Sequence, residues 1–352
     1  MLVSEQRDDF RSDGRSRMEY RPMELETNVV SHASGSARLR LANTDILVGV
    51  KTEIDVPFPE RPNKGKLEFF VDCSANATPS FEGRGGEELG TEISSDLSRA
   101  YQSSLAFDLT SLCILPAQQC WKLYIDILIL ECGGNLFDAV SLAVKAALHN
   151  THIPQVKAAL MDGGQVDIHL SDDPFDCWRI DVSTAPLLVT LCKVSLLHFT
   201  QIYNKRVPIA LSNDSHIANK FLLTFTFIKK YHPQIRTTDK EHRTEVKQMF
   251  YARHTKQHID EEHRTEIGEH CVVDPTAEEE LCSNASVVVG VTPDGNITSV
   301  FKTGAGSFHP QTLVDTFQMG QSLGVELNGV LKEALRNEEE VVTTRQTYGF
   351  LK

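Results

Sequence analysis

The 352 residues carry 35 Lys and Arg against 48 Asp and Glu, a formal net charge of −13. A chain of this length buries a substantial core and accommodates two packed units. Its acidity argues against a free-standing, sequence-independent nucleic-acid binder, which would be basic, and leaves room for one subunit of an assembly whose positive channel is built by partners. The eight cysteines (73, 113, 120, 132, 177, 192, 271, 282) include no C-x-x-C pair, so zinc is disfavoured and free thiols in a reducing compartment are expected. Met1 to Arg15 lacks the apolar stretch of a secretory leader, and no run of about 18 uncharged apolar residues occurs. A soluble intracellular protein without membrane contact is the expectation.

Residues 1–22 are polar and read as an N-terminal arm. Met23 to Val30, Ser36 to Leu41 and Asp45 to Thr52 predict short strands, with turns at Ser34-Gly35 and Asn43-Thr44. In the second strand small or apolar residues alternate with Arg38 and Arg40, as on a half-exposed strand. A proline-broken connection, Pro57 to Lys66, leads to a strand over Leu67 to Cys73. The loop Glu82-Gly83-Arg84-Gly85-Gly86 precedes Glu88 to Ser103, where Leu89, Ile93, Leu97 and Tyr101 recur every four residues and predict an amphipathic helix. Ser111 to Leu115 and Trp121 to Leu130 return to strand. Leu136 to Leu148 is apolar nearly all round, with Asp138, Ser141 and Lys145 as its polar stripe, so this helix should be buried on most of its surface. Gln165 to Leu170 and Leu187 to Lys193 read as strands on either side of the turn Ser171-Asp172-Asp173-Pro174. The alternation describes a mixed α/β domain over 23–194.

Composition breaks after Val194. Residues 195–270 hold eight of the thirteen histidines and twelve Lys or Arg against nine acids, and they repeat Glu-His-Arg-Thr-Glu at 241–245 and 262–266. No HExxH spacing accompanies the histidines. We read 195–267 as an insert, disordered or marginally helical; a lineage-specific extension and translated intron sequence both suit it. A second domain, 268–340, follows. Asp274-Pro275-Thr276 before Glu278-Glu279-Glu280 predicts a helix start with acids in its first turn. Ser286 to Val291 and Ile297 to Lys302 predict a hairpin around Thr292-Pro293-Asp294-Gly295. Pro310 to Leu335 predicts a long, half-buried helix, and residues beyond Arg336, including the tail 341–352, are expected to fray.

The chemically suggestive stretch is Leu130-Glu131-Cys132-Gly133-Gly134-Asn135-Leu136-Phe137-Asp138-Ala139. An apolar strand runs through two glycines into a helix, where orphan N–H groups point outward and suit an oxyanion or phosphate. Yet none of Glu131 to Asp138 is Lys, Arg, Ser or Thr, and the carboxylates Glu131 and Asp138 flank the turn and would repel an anion. The pattern is that of a catalytic fold whose site has lapsed.

Six segments now align in order: Arg11-Ser12-Asp13-Gly14-Arg15, Gly35-Ser36-Ala37-Arg38, Asn43 to Val50, Glu131 to Ala139, Ser171 to Pro174, and Val273 to Glu280. Together they resemble the RNase PH-like subunits of the RNA exosome ring, with the eukaryotic Rrp42 type the nearest likeness, over 1–194 and about 268–340. The resemblance implies an α/β (α+β) RNase PH-like fold of duplicated βαβ units of the ribosomal protein S5 domain 2 type. Active members degrade RNA from its 3′ end by phosphorolysis, holding phosphate with a Ser or Thr plus Arg just after the glycine turn. Here Gly133, Gly134, Asn135 and Leu136 make a degenerate phosphate site without the guanidinium that phosphate recognition uses.

Active members also carry a carboxylate near the start of the strand Thr184 to Val189; the matching residue is Thr184. Asp172, Asp173, Asp176 and Asp181 lie nearby, as a displaced acid or as solvated turn residues. The resemblance thus implies a non-catalytic scaffold subunit, the alternative being an active phosphorolytic 3′–5′ exoribonuclease. It places RNA-contacting arginines on pore-facing loops, for which Arg84 is the first candidate, then Arg99, then Arg38 and Arg40; each also reads as a surface or intersubunit arginine. Implied partners are an Mtr3-like dimer partner, the other RNase PH-like subunits of a hexameric ring, S1/KH cap proteins and RNA, with no metal or cofactor. The implied setting is RNA degradation and rRNA processing in nucleus, nucleolus and cytoplasm.

Overall fold

The computed structural model describes residues 11–194 and 270–344, apart from 12, 83, 104–105, 161–165, 172 and 174. The described residues on either side of the insert belong to one compact unit; the insert expected over 195–267 lies outside the described residues.

The first sheet is ordered β1 (Met23–Thr27), β2 (Gly35–Leu41), β3 (Thr44–Asp55), β6 (Gln119–Glu131), β4 (Lys66–Cys73), with β5 (Cys113–Leu115) also paired to β6. All neighbours are antiparallel except β4 and β6. That pair is parallel because α1 (Gly85–Gln102) carries the chain back between them, the connection a parallel pair requires. Strand alternation selects the inner face: Leu123, Ile125, Ile127 and Ile129 of β6 are buried, while Asp126 between them is exposed.

Helix α2 (Leu136–His149) packs on β2 and β3 and, on its other side, on β11 (Leu187–Val194) of a second sheet ordered β12 (His270–Val273), β11, β13 (Ser283–Val291), β14 (Ile297–Thr303). A helix held between two sheets needs apolar residues around its whole circumference, which accounts for its sequence. The polar stripe is buried as well. The Lys145 ammonium donates to the Ala185 carbonyl and to Asn328 Oδ1, both at 2.6 Å, and burial pushes its pKa down to about 8.

The β13–β14 hairpin forms as expected, with Gly295 at φ +82° in its turn. Two two-stranded pieces, β7 (His152–Pro154) with β10 (Cys177–Arg179) and β8 (Val156–Leu160) with β9 (Val166–Leu170), include strands the periodicity did not indicate, three to five residues being too short to show it. Ser111 is not in a strand: Leu109–Leu112 is a 3-10 turn, started by Asp108 accepting from the Thr110 N–H, and β5 begins only at Cys113. Helix α3 (Ala277–Cys282) is short, and Thr276 with Glu279 closes a capping box at its start.

Helix α4 (Pro310–Thr344) runs past the expected end at Leu335. The segment beyond Arg336 does not fray before Thr344. Glu338 accepts from the Thr27 N–H at 3.4 Å and Glu339 pairs with Arg179, so acidic residues read as a solvated tail anchor one more stretch of helix. Residues 345–352 of the expected tail lie outside the described residues.

Helix α4 approaches β13 closely at Gly324, where an added Cβ would stand 2.5 Å from the Val291 Cβ. One turn on, Gly329 faces open space. Gly324→Val should therefore lower the free energy of unfolding by about 1–3 kcal/mol through overpacking. Gly329→Ala should raise it by roughly 0.5–1 kcal/mol. Urea titration of both variants separates the two effects.

Candidate functional site

The turn between β6 and α2 is built by backbone requirements. Gly134 has φ +96° and Asn135 φ 55°, both left-handed, and Asn135 caps α2 without a side-chain cap bond. Thr44 at the start of β3 pins the turn: its hydroxyl accepts the Gly133 N–H at 3.1 Å and donates to the Gly134 carbonyl at 2.7 Å. No side chain fits at Gly134, where a Cβ would lie 2.5 Å from the Ala277 nitrogen. Glycine is needed here because α3 comes down directly on the turn.

The first free amide of α2 is already used. The Asn135 N–H donates to Glu280 Oε1 of α3 at 2.7 Å, so the chain's own carboxylate sits where the helix start would otherwise draw an external anion. Leu136, at the position where the resemblance implies arginine, is buried in the apolar core. Asn135 turns its amide inward, donating to Asp138 Oδ2 at 3.0 Å and to Asp274 Oδ1 at 2.9 Å, and its own Oδ1 is buried without a partner.

Asp274 is completely buried and gathers the N-terminal arm around itself. Arg21 reaches it with its backbone N–H (2.8 Å), Nε (2.9 Å) and Nη2 (2.7 Å), and Arg15 Nη1 adds a fourth contact at 2.9 Å. Arg21 also donates to the Gly133 and Gly134 carbonyls at 2.9 and 3.1 Å. Arg11 pairs with Glu279 and donates to the Val273 and Asp274 carbonyls at 2.7 and 2.8 Å. Burial alone would raise the Asp274 pKa, but the bonds from Arg21 and Asn135 hold it below the ordinary carboxylate value. The arm is thus part of the site and more than a lead-in to the fold.

Asp138 is also wholly buried. It accepts from Tyr20 Oη at 2.8 Å and Thr190 Oγ1 at 2.7 Å, besides Asn135. Burial outweighs these donors and pushes its pKa up to about 7. One sequence expectation is corrected here. Asp138 does not flank the mouth of the turn as a repelling charge: the first turn of α2 points it into the core, and the carboxylate at the turn is Glu280. Glu131, by contrast, is exposed at the end of β6.

The four candidate RNA-contacting arginines are dispersed. Arg84 is exposed at the N-cap of α1, and no ion pair involves it among the described residues. Arg99, in the last turn of the same helix, lies about 22 Å away by helical rise. It pairs with Asp96 at 2.8 Å and covers the Phe301 ring at 5.0 Å. Arg38 holds Asp45 with two bonds, at 3.0 and 2.6 Å, and Arg40 adds a third at 3.3 Å. The Arg38 bond keeps the Asp45 carboxyl below its usual pKa, so these two arginines are already engaged. Thr184 is exposed. Asp173 and Asp181 accept from the Phe175 and Ser183 N–H groups two residues on, as turn residues do; Asp172 lies outside the described residues.

Sequence reasoning missed Arg11, Arg15, Tyr20 and Arg21 on one side and Asp274, Glu279 and Glu280 on the other. Their opposite charge in two separated motifs was the available signal.

Fold and turn together define a two-sheet α/β protein whose cap amide before α2 is bonded to the chain's own carboxylate. Residues 19–154 match the 3′ exoribonuclease family, domain 1, and residues 266–322 its domain 2. A Dictyostelium discoideum protein named as an exosome complex exonuclease RRP42 is 27% identical over 374 residues, spanning 93% of each chain. The exosome component Rrp42 of Thermococcus kodakarensis is 33% identical over 60% of this chain and 78% of its own. That of Methanothermobacter thermautotrophicus is 42% identical over 45% of this chain and 58% of its own. Among solved structures, an archaeal exosome core (21% identity, TM-score 0.57, 94% of each chain) shares the fold. So does an Archaeoglobus fulgidus exosome with RNA bound to the active site (22%, TM-score 0.59, 93% and 95%). The chain belongs to the RNase PH-like family of exosome core subunits and is homologous to its Rrp42-type members.

A carboxyl group whose folded pKa of about 7 exceeds the unfolded value of 3.8 favours folding most while protonated. Its contribution is complete below pH 4 and is lost as pH rises toward 7. Asp138→Asn removes this dependence. Relative to wild type, the variant should gain stability from pH 4 to 7, on the order of 4 kcal/mol at most. Urea midpoints measured across that range check the sign.

Proposed function

We propose that this chain is a non-catalytic scaffold subunit of the exosome core ring, supporting 3′–5′ RNA degradation and rRNA processing and helping to form the RNA channel. One observation carries the reading: at the glycine turn Leu136 is buried in the core and the Asn135 N–H is bonded to Glu280. Phosphorolysis needs a phosphate held against the scissile linkage, and transferable charge stabilisation comes from preorganised donors and guanidinium groups. At the turn the Asn135 N–H is already bonded to Glu280, and the neighbouring arginines, Arg21 and Arg15, are spent on Asp274. Lapsed chemistry on a retained fold is compatible with a role in assembly.

On this reading the two halves are duplicated βαβ units of the ribosomal protein S5 domain 2 type. The partners are an Mtr3-like subunit in a heterodimer, the remaining RNase PH-like subunits of a hexameric ring, S1/KH caps, and RNA passing through. The setting is nucleus, nucleolus and cytoplasm. Affinity purification from cells should recover the other ring subunits and caps; a stable complex lacking them would sink the proposal.

Pure protein with a 3′-labelled RNA and inorganic phosphate should release no nucleoside diphosphates above a no-enzyme control. Phosphate-dependent release would establish the competing class, an active phosphorolytic exoribonuclease.

Arg84 remains the best placed of the four arginines for RNA, being exposed at a helix start. In a reconstituted ring, Arg84→Glu should weaken RNA binding by roughly 1–3 kcal/mol with the ring intact, and the effect should shrink as salt rises. Unchanged RNA crosslinking in the pore would remove Arg84 from the channel, and ring collapse would make it an interface residue.

A further inference from the structure

Cys113 of β5 and Cys120 of β6 are direct partners in an antiparallel register. Residues opposed in this way have Cα atoms roughly 4.5–5.5 Å apart and side chains on the same face of the sheet. A disulfide requires Cα atoms about 4.4–6.8 Å apart, so the pairing sets the two backbones at disulfide spacing, next to a register irregularity between Cys113 and Leu115. No other two cysteines are opposed in the registers of the first sheet, of the two-stranded pieces or of the β11–β13–β14 ladders.

The two thiols differ in access. Cys113 is partly exposed at the start of β5, whereas Cys120 is buried. Burial raises the Cys120 pKa, partly offset by the nearby Lys66 ammonium. Between them the chain turns through Pro116 and Ala117, with Ala117 at φ +62° and its N–H bonded to the Pro62 carbonyl at 2.9 Å. The hairpin tip therefore rests on the loop ahead of β4, and a covalent link at its open end would fix that contact.

We propose that Cys113 and Cys120 form a reversible intramolecular disulfide, a thiol-modification site at the edge of the first sheet. With a small-molecule disulfide such as oxidised glutathione as oxidant, the exposed Cys113 thiolate attacks one glutathione sulfur. A Cys113–glutathione mixed disulfide forms and one glutathione thiolate leaves. Cys120 then loses its proton and attacks Cys113 Sγ, expelling the second glutathione. Two protein thiols are oxidised by two electrons and one glutathione disulfide is reduced to two thiols.

The full-length protein is incubated with oxidised glutathione, alkylated without reduction, and digested with trypsin. The peptide 100–122 holds both cysteines and no internal Lys or Arg. It should lose two hydrogens and take up no alkylating agent, with both thiols returning after treatment with a reductant. Cys120→Ser should trap glutathione on Cys113, and Cys113→Ser should leave Cys120 unmodified. Three outcomes would overturn the proposal: both thiols alkylated after oxidation, glutathione persisting on Cys113 in the wild type, or oxidation that links Cys73 to Cys132 and spares this pair.

Discussion

A carboxylate removed from water must be ringed by donors or lose its charge, and Asp274 is ringed by Arg15, Arg21 and the Asn135 amide. Two of these donors come from the N-terminal arm and the third from the turn before α2. Asp274 itself stands at the entrance to α3. Buried ion pairs of this kind contribute little net stability over a well-packed apolar substitute. Their value is geometric, since only one arrangement of arm, turn and α3 satisfies all of these groups together. The placement of Glu280 over the Asn135 N–H follows from that arrangement.

The same logic explains how the glycine turn before α2 is held in place. A helix start leaves N–H groups that must find an acceptor. For the cap amide of Asn135 that acceptor is Glu280 of α3. The glycines remain because the backbone still turns left-handed under α3, and Gly134 would collide with that helix if it carried a side chain. Retention of the glycine pair therefore speaks for the fold and says nothing for the chemistry.

Much of this was legible in the sequence because it rests on period and punctuation. The all-round apolar helix α2, the β13–β14 hairpin and the acid-rich start of α3 each have a local cause. What escaped depends on partners distant in the chain. Asp138 looks like a solvent-facing residue on a helical wheel until Tyr20 and Thr190 are placed against it, 118 and 52 positions away. Leu136 shows only that an arginine is missing; its burial comes from the sheets on both sides. The far end of α4 reads as a fraying tail because it is polar, and Thr27 and Arg179 meet it while it is still helical. Strands of three to five residues, such as β7 and β10, are too short for alternation to register.

Helix α2 serves both sheets at once, and that arrangement sets an order on biosynthesis. When residue 149 leaves the ribosome, the first sheet can close on one side of the helix. The strand that covers the other side, β11, ends at Val194, and the partner that holds β11 in its sheet, β13, ends at Val291. At ordinary elongation rates the interval to Val291 lasts roughly 7–30 s, during which a nascent half-domain carries a bare apolar helix face. The intervening residues 195–269 lengthen this delay far more than they penalise the finished fold, since closure entropy grows only with the logarithm of loop length. The hazard they introduce is one of time: a sticky half-built core awaiting its second sheet.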